Sequence, residues 1–373
     1  MDMTMGVKRG YLALNQAFCG ISCQTPPVKV FESVMSGNFK YQFNDVGIVS
    51  IQACDAPVVV TSDEIDDLLA PFYERVGADR GLLQKLAGIN ERRQWPANVS
   101  FIDAAVMAGE KVIADAGIDR SRIGLLINSS VCRERLEPSS AVTAHHALGL
   151  SSTCINFDIS NACLGFVNAM HMAGTLIEAG QIDYALIVDG EGTREIQQNT
   201  LNRLQQEQSS LDDFFANFAS LTLGSGSVAT LIGRHSDNPG SHQIMRGEFR
   251  AATEYHELCV GSLEGMRTDT RALLKAGTEL GKLGWDEADS ESWGGMSRYI
   301  IHQVSRAHTA AIVDALGIDP QRVPLTFPEF GNIGPAAVPF TLAREVGALS
   351  PGDQVLCIGV GSGLNVAFLE VNW

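Results

Sequence analysis

The stretch FDISNACLGFVNAM, residues 157–170, decides how the chain folds. An apolar strand, Ile155–Ile159, runs into it. A helix, Leu164–Ala179, leaves it and stops at Gly180, a residue type that closes helices with a left-handed turn. Cys163 sits between the two. A helix N-terminus offers unpaired N–H groups and roughly half a positive charge. Both favour a thiolate, so the position predicts a lowered thiol pKa. Ala162 and Gly165 leave room for a substrate beside the sulfur. The competing reading is a core cysteine, because free Cys packs as a small hydrophobe.

Strands and helices alternate outward from this junction. Toward the N-terminus, Val46–Ala53 and Ile123–Asn128 read as strands; Ser62–Val76, Phe101–Ala116 and Ser140–Leu148 read as helices. Asn98 and Ser100 are cap candidates for the second helix. Toward the C-terminus, Tyr184–Asp189 is a strand, Arg194–Phe218 a polar helical stretch, and Leu221–Ile232 reads as strands. Then come a helix over Arg271–Lys282, a strand Tyr299–His302, helices Thr309–Leu316 and Pro335–Val346, and closing strands Val355–Gly359 and Val366–Val371.

The two halves agree in register. Cys163 to Gly190 spans 27 residues, and so does Asn332 to Gly359. Asn128 to Cys163 spans 35 residues and His302 to Asn332 spans 30. The agreement predicts a duplicated unit with a pseudo-two-fold axis. Cys163 and Asn332 then stand at equivalent helix starts beside a shared cleft.

Other residues carry chemistry in the same pattern. His302 ends a strand, where α/β proteins place their ligands. It reads as an acid–base or oxyanion partner, or as a hydrogen-bonded core histidine. Asn332 lies in FGNIGPA, between glycines that let the backbone approach a ligand. It reads equally as a helix cap. The run Gly359, Val360, Gly361, Ser362, Gly363 lacks the lysine of a phosphate loop and leads into a strand. It reads as a tight loop donating N–H groups to an oxyanion. Glu137 lies in LEPSS, where it complements the dipole of a helix capped by Ser139 or Ser140.

Bulk properties set limits. At 373 residues the chain exceeds the ~250–300 at which single cores stop growing, so two lobes are expected. A net charge of −16 argues against a nucleic-acid partner, which requires clustered Lys and Arg. Eight scattered cysteines form no CxxC pair, which argues against zinc and fits a reducing cytoplasm. No apolar run reaches the ~18 residues of a membrane span. Residues 1–34 read as an extension without a signal-peptide pattern, and Met35 offers an alternative start. The chain thus divides into an extension 1–34, a half 35–220 with the nucleophile, and a half 221–373 with the histidine and asparagine.

Cys163, His302 and Asn332, in that order on a duplicated strand–helix frame, resemble the thiolase superfamily. Within it the chain is similar to the ketoacyl synthase III group and its acyl-CoA condensing enzymes. The resembling stretches are INSSVCRERLEPSS, FDISNACLGFVNAM, IDYALIVDGE, IIHQVSRAHTAAIV, FGNIGPAAVP and GVGSGLN, within Val46–Trp373. The resemblance implies a layered αβαβα core and an acyltransferase. It makes Cys163 the nucleophile, His302 and Asn332 the holders of the second thioester, and the Gly359–Gly363 segment part of an oxyanion hole. It makes Glu137 a base acting in the partner's site of a homodimer. It implies coenzyme A thioesters as substrates and no bound cofactor. A base is needed where both substrates are plain acyl-CoAs, because an unactivated α-proton must be removed. The leading expectation is therefore non-decarboxylative condensation of two fatty acyl-CoAs to a 2-alkyl-3-ketoacid. Decarboxylative condensation with malonyl-carrier protein is the alternative. An inactive subunit that lends only Glu137 is a third reading, and the intact Cys163, His302 and Asn332 oppose it.

Overall fold

Apolar strand sequences build the centre of the molecule. The computed structural model describes residues 37–373 apart from 263, 264 and 289. The expected extension and the alternative start lie outside the described residues. The strands before the midpoint are β1 (Phe39–Gln42), β2 (Gly47–Asp55), β3 (Val58–Thr61), β4 (Glu91–Gln94), β5 (Ile123–Asn128), β6 (Ile155–Asp158) and β7 (Tyr184–Glu191). After it come β8 (Gly226–Gly233), β9 (His242–Ala251), β10 (Cys259–Gly261), β11 (Met266–Thr268), β12 (Arg298–Ile301), β13 (Gln354–Gly361) and β14 (Asn365–Asn372). β7 and β8 are buried at every position, as strands covered on both faces must be.

The main sheet runs β12-β13-β14-β9-β2-β8-β7-β5-β6, with β1 attached to β9. Its order repeats. β5 is parallel to β7, β7 antiparallel to β8, and β8 antiparallel to β2. Likewise β12 is parallel to β13, β13 antiparallel to β14, and β14 antiparallel to β9. The two runs meet where β2 pairs β9, at Gly47↔Gln243 and Ile48↔His242. β6 lies outside β5 as an edge. The duplication expected from the spacings is therefore present in the strand order.

The helices are α1 (Ser62–Leu68), α2 (Ala70–Val76), α3 (Phe101–Ala116), α4 (Ser140–Ala147), α5 (Gly165–Glu178) and α6 (Arg194–Leu204). They continue as α7 (Leu211–Thr222), α8 (Thr270–Glu287), α9 (Arg306–Leu316) and α10 (Ala337–Glu345). α5 and α10 form the middle layer. Phe166, Val167 and Met170 of α5, with Val338, Phe340 and Leu342 of α10, share one core with strands of both runs. Each large apolar side chain buried here contributes ~1.5–3 kcal/mol. α3 covers the outer face of the β5–β7–β8 run, and α8 with α9 covers the β12–β13–β14 run. The layers are thus αβαβα. Among the described residues, no helix is long and apolar enough to cross a membrane.

Some elements differ from expectation for identifiable reasons. Ser62–Val76 breaks at Leu69 because Pro71, in the first turn of α2, cannot donate back into α1. Arg194–Phe218 is two helices, the second started by a capping box of Ser210 and Asp213. Leu221 and Thr222 finish α7 instead of opening a strand, and β8 begins at Gly226. Ser100, not Asn98, caps α3.

Candidate active site

Cys163 precedes α5 at the end of a tight turn. Ala162 has φ +44, Leu164 N–H donates to Asn161 O at 2.9 Å, and Gly165 N–H donates to Ala162 O at 3.2 Å. A Cβ at position 165 would stand 2.8 Å from Ser129 O, so only glycine lets α5 start against the end of β5. Cys54, Cys154 and Cys357 are buried core residues, whereas Cys163 keeps accessible surface. The expected low thiol pKa is corrected. Burial, then the neighbouring Cys259, Glu191 and Asp189, push the Cys163 thiol up to about 12. Burial is the largest cause, and it disfavours the thiolate.

His302 follows β12, and its N–H donates to Ile358 O at 2.8 Å. The residue is 2% exposed, and neither ring nitrogen meets a partner of hydrogen-bonding geometry. Burial lowers its pKa to about 4; the adjacent Asn332 amide and Val360 backbone favour the cation but are outweighed. The ring is therefore neutral near pH 7 and donates from one nitrogen only.

Asn332 is anchored by its backbone to the end of α7. Its N–H donates to Thr222 O and its carbonyl accepts from Gly224 N–H, both at 2.9 Å. Its Oδ1 accepts from Gly334 N–H at 3.0 Å, which is the cap-like contact. That bond orients the amide. Glycine is obligatory here: a Cβ at 224 would lie 1.7 Å from Phe330 O, and one at 331 would lie 2.6 Å from Thr222 O.

The glycine run brings the second half against Cys163. Cβ atoms at 359 and 361 would stand 2.3 Å and 3.2 Å from side-chain atoms of Leu164. Gly359, Val360 and Gly361 belong to β13, paired with Ala367, Val366 and Asn365. Of the five, only Ser362 and Gly363 lie in the turn, which Leu364 completes, so the expected loop is largely strand. Glu137 lies on an exposed loop before α4, next to Leu136, which is 93% exposed. Neither Ser139 nor Ser140 caps α4 by its side chain. The Asp158 carboxylate accepts from the Ser140 and Ala141 N–H groups at 2.9 and 2.8 Å instead.

Three buried residues near the site escape the sequence reading. Asp189 and Glu191 are the charged pair at the end of β7. Their alternation inside an otherwise apolar strand is a usable signal. His308, in the first turn of α9, places its ring 6.3 Å from that of His302, and burial lowers its pKa to about 3. Its spacing of six from His302 carries no such signal.

Comparison with known proteins agrees with this geometry. Residues 157–251 match the family model of 3-oxoacyl-[acyl-carrier-protein] synthase III, and residues 291–373 match its C-terminal model. The chain is 42% identical to an acyl-CoA:acyl-CoA alkyltransferase of Xanthomonas campestris, over 89% of this chain and 99% of that protein. It is 36% identical to one of Shewanella oneidensis, over 85% and 96%. A ketoacyl synthase III of Rhodospirillum rubrum is 25% identical over 79% and 91%. Crystal structures of Xanthomonas campestris OleA superpose with TM-scores of 0.86 at 42% identity, covering 89% of this chain and 99% of theirs. One such structure holds lauric acid and lauroyl-CoA, covering 89% of this chain and 100% of that one. The chain belongs to the OleA-type acyl-CoA:acyl-CoA alkyltransferases, thiolase-fold condensing enzymes of the ketoacyl synthase III group.

Proposed function

We propose that this protein joins two fatty acyl-CoAs head to head, without decarboxylation, to give a 2-alkyl-3-ketoacid. The observation that carries the reading is that His302 neighbours the Asn332 side chain and the Val360 backbone, while Gly359 and Gly361 pack on Leu164, the residue after Cys163. The relatives named acyl-CoA:acyl-CoA alkyltransferase support the substrate class.

The Cys163 thiol attacks the first thioester carbonyl. Coenzyme A leaves as the thiol and takes the proton, so the acyl group rests on Sγ. Backbone N–H groups of Cys163 and of the Gly359–Gly363 segment hold the developing oxyanion. The Glu137 carboxylate then removes an α-proton from the second acyl-CoA. The enolate oxygen is held by one N–H of neutral His302 and by Asn332 Nδ2. The carbanion attacks the acyl-Cys163 carbonyl, the C–S bond breaks, and the Cys163 sulfur recovers a proton. Water then cleaves the 2-alkyl-3-ketoacyl-CoA to the acid and free coenzyme A. No bound cofactor is used.

Glu137 acts across a homodimer in this reading. Its exposure, the exposed Leu136 and the edge strand β6 with exposed Ile155 support a contact between copies on that side. Free thiols at all six described cysteines fit a cytoplasmic setting.

The deciding assay supplies a long-chain acyl-CoA alone and follows coenzyme A release and the ketone formed from the β-keto acid. Product under these conditions is expected. Product only when malonyl-carrier protein is added would replace this reading with decarboxylative synthesis.

A further inference from the structure

The loop that carries Glu137 is held from both flanks by one side chain. Asp158 closes β6. Its Oδ2 accepts from Ser140 N–H at 2.9 Å and its Oδ1 from Ala141 N–H at 2.8 Å. These N–H groups open α4, directly after the loop. Oδ2 also faces Arg133 Nε at 3.4 Å, in the loop before Glu137. Arg133 in turn donates through Nη1 to Ser130 O and, at 3.0 Å, to Cys132 O. Asn128 Nδ2, at the end of β5, donates to Oδ1 at 3.2 Å. One carboxylate thus gathers the two flanks of the loop onto the ends of β5 and β6.

Glu137 itself is exposed, so the backbone of its loop sets where the carboxylate points. Arg135 Nη2 donates to Thr143 Oγ1 at 2.5 Å, which lays the loop on the helix that Asp158 holds. A base must stand within hydrogen-bonding reach of the proton it takes, and a 1 Å displacement costs about a hundredfold in rate. A carboxylate at a helix start supports that helix in any protein. Arg133 goes beyond this, because it lies outside α4 and reaches the same carboxylate from the other side of Glu137. The side chains of the pair are 20% and 14% exposed, so loss of one partner leaves the other charge poorly solvated.

We propose that Asp158, with Arg133, positions the base of the condensation step by clamping the loop through which one subunit presents Glu137 to the other's site, a role that rests on the reading of Glu137 as a base acting across the dimer. Asp158 also precedes Cys163 in its own chain. A homodimer separates the two neighbourhoods. A loosened clamp harms the partner's site, whereas a disturbance passed along the chain to Cys163 harms its own.

Asp158→Asn keeps the size of the side chain but turns a donor toward the N–H of Ser140 or Ala141. It is expected to slow condensation about tenfold or more, read by steady-state product. Loading of Cys163 by a long-chain acyl-CoA, read by intact mass in a single turnover, should stay within about threefold. Arg133→Met leaves the α4 contacts in place and should slow condensation as well. Mixed with Cys163→Ala and allowed to exchange subunits, Asp158→Asn should recover about a quarter of wild-type turnover, because its Cys163 then meets an intact Glu137 loop. Mixed with Glu137→Gln it should not recover, because the one intact Glu137 sits in the loosened loop. Recovery in that second mixture would place the defect in the cleft of the Asp158→Asn chain itself and overturn the proposal. So would equal slowing of loading and condensation, or wild-type condensation by Asp158→Asn or by Arg133→Met. If Asp158→Asn does not fold, Arg133→Met replaces it in both mixtures. Cys163→Ala mixed with Glu137→Gln is the control. No recovery there after verified exchange sinks the action of Glu137 across the dimer; recovery there with failure of the other arms sinks only the clamp.

Discussion

At the residue scale, burial sets the protonation of the whole cleft. With its thiol pushed up to about 12, Cys163 should react with iodoacetamide at a rate that keeps rising beyond pH 9. An ordinary thiol levels off above its pKa of about 8.5. Intact mass with Cys163→Ala as background gives the profile, and a plateau below pH 8 would contradict it. The same Cys163→Ala protein should show no acyl adduct with acyl-CoA. His302 and His308 have folded pKa values of about 4 and about 3, below the unfolded value near 6.5. Between those limits the unfolded chain binds more protons, so stability is intact above pH 6.5 and falls as pH drops toward 4. The slope is up to about 1.4 kcal/mol per pH unit for each histidine. Urea midpoints at pH 5 and 7 should therefore differ, and His308→Leu should shrink the difference. That Cys163 precedes a helix and His302 follows a strand was legible in the sequence. The sign of the thiol shift was not, because it depends first on how deeply the folded chain buries the sulfur.

At the scale of elements, two glycines let the Asn332 turn dock. Gly224→Ala places a methyl 1.7 Å from Phe330 O, which forces backbone apart at the bridge between Leu223 and Asn332. Destabilisation of about 3 kcal/mol or more is expected, together with loss of condensation. Thermal melting and turnover of Gly224→Ala, with Gly347→Ala as a control at a position with open space and no left-handed backbone, check it. The long apolar strands and the helix stop at Gly180 were readable, since period and caps are local signals. β9 was not readable. Its sequence, HQIMRGEFRA, carries charge in the middle of the sheet, and its partners are far along the chain. Arg246 is paired with Glu370, and Glu248 with Lys40. Glu137 had its place in a loop before α4 read correctly, but the cap it was expected to assist comes from Asp158.

At the scale of the molecule, the homodimer reading has a direct test. Cys163→Ala and Glu137→Gln should each be inactive in condensation. Mixed and allowed to exchange, they form heterodimers in which one site has both groups, so about a quarter of the sites become competent. Recovery of that order is expected; no recovery after verified exchange would place Glu137 in its own chain's site. Leu136→Asp should weaken the dimer, read by sedimentation, since the side chain is 93% exposed in one copy.

The middle layer has a further consequence. α5, which follows Cys163, and α10, which follows Asn332, bury their apolar faces in a core that draws on both strand runs. Neither run retains that cover if the other opens. A partly unfolded protein that still condenses acyl-CoA is therefore not expected: across a urea series, turnover and far-ultraviolet ellipticity should vanish at one midpoint. The reaction then doubles as a folding sensor, reporting on both ends of a duplicated chain at once.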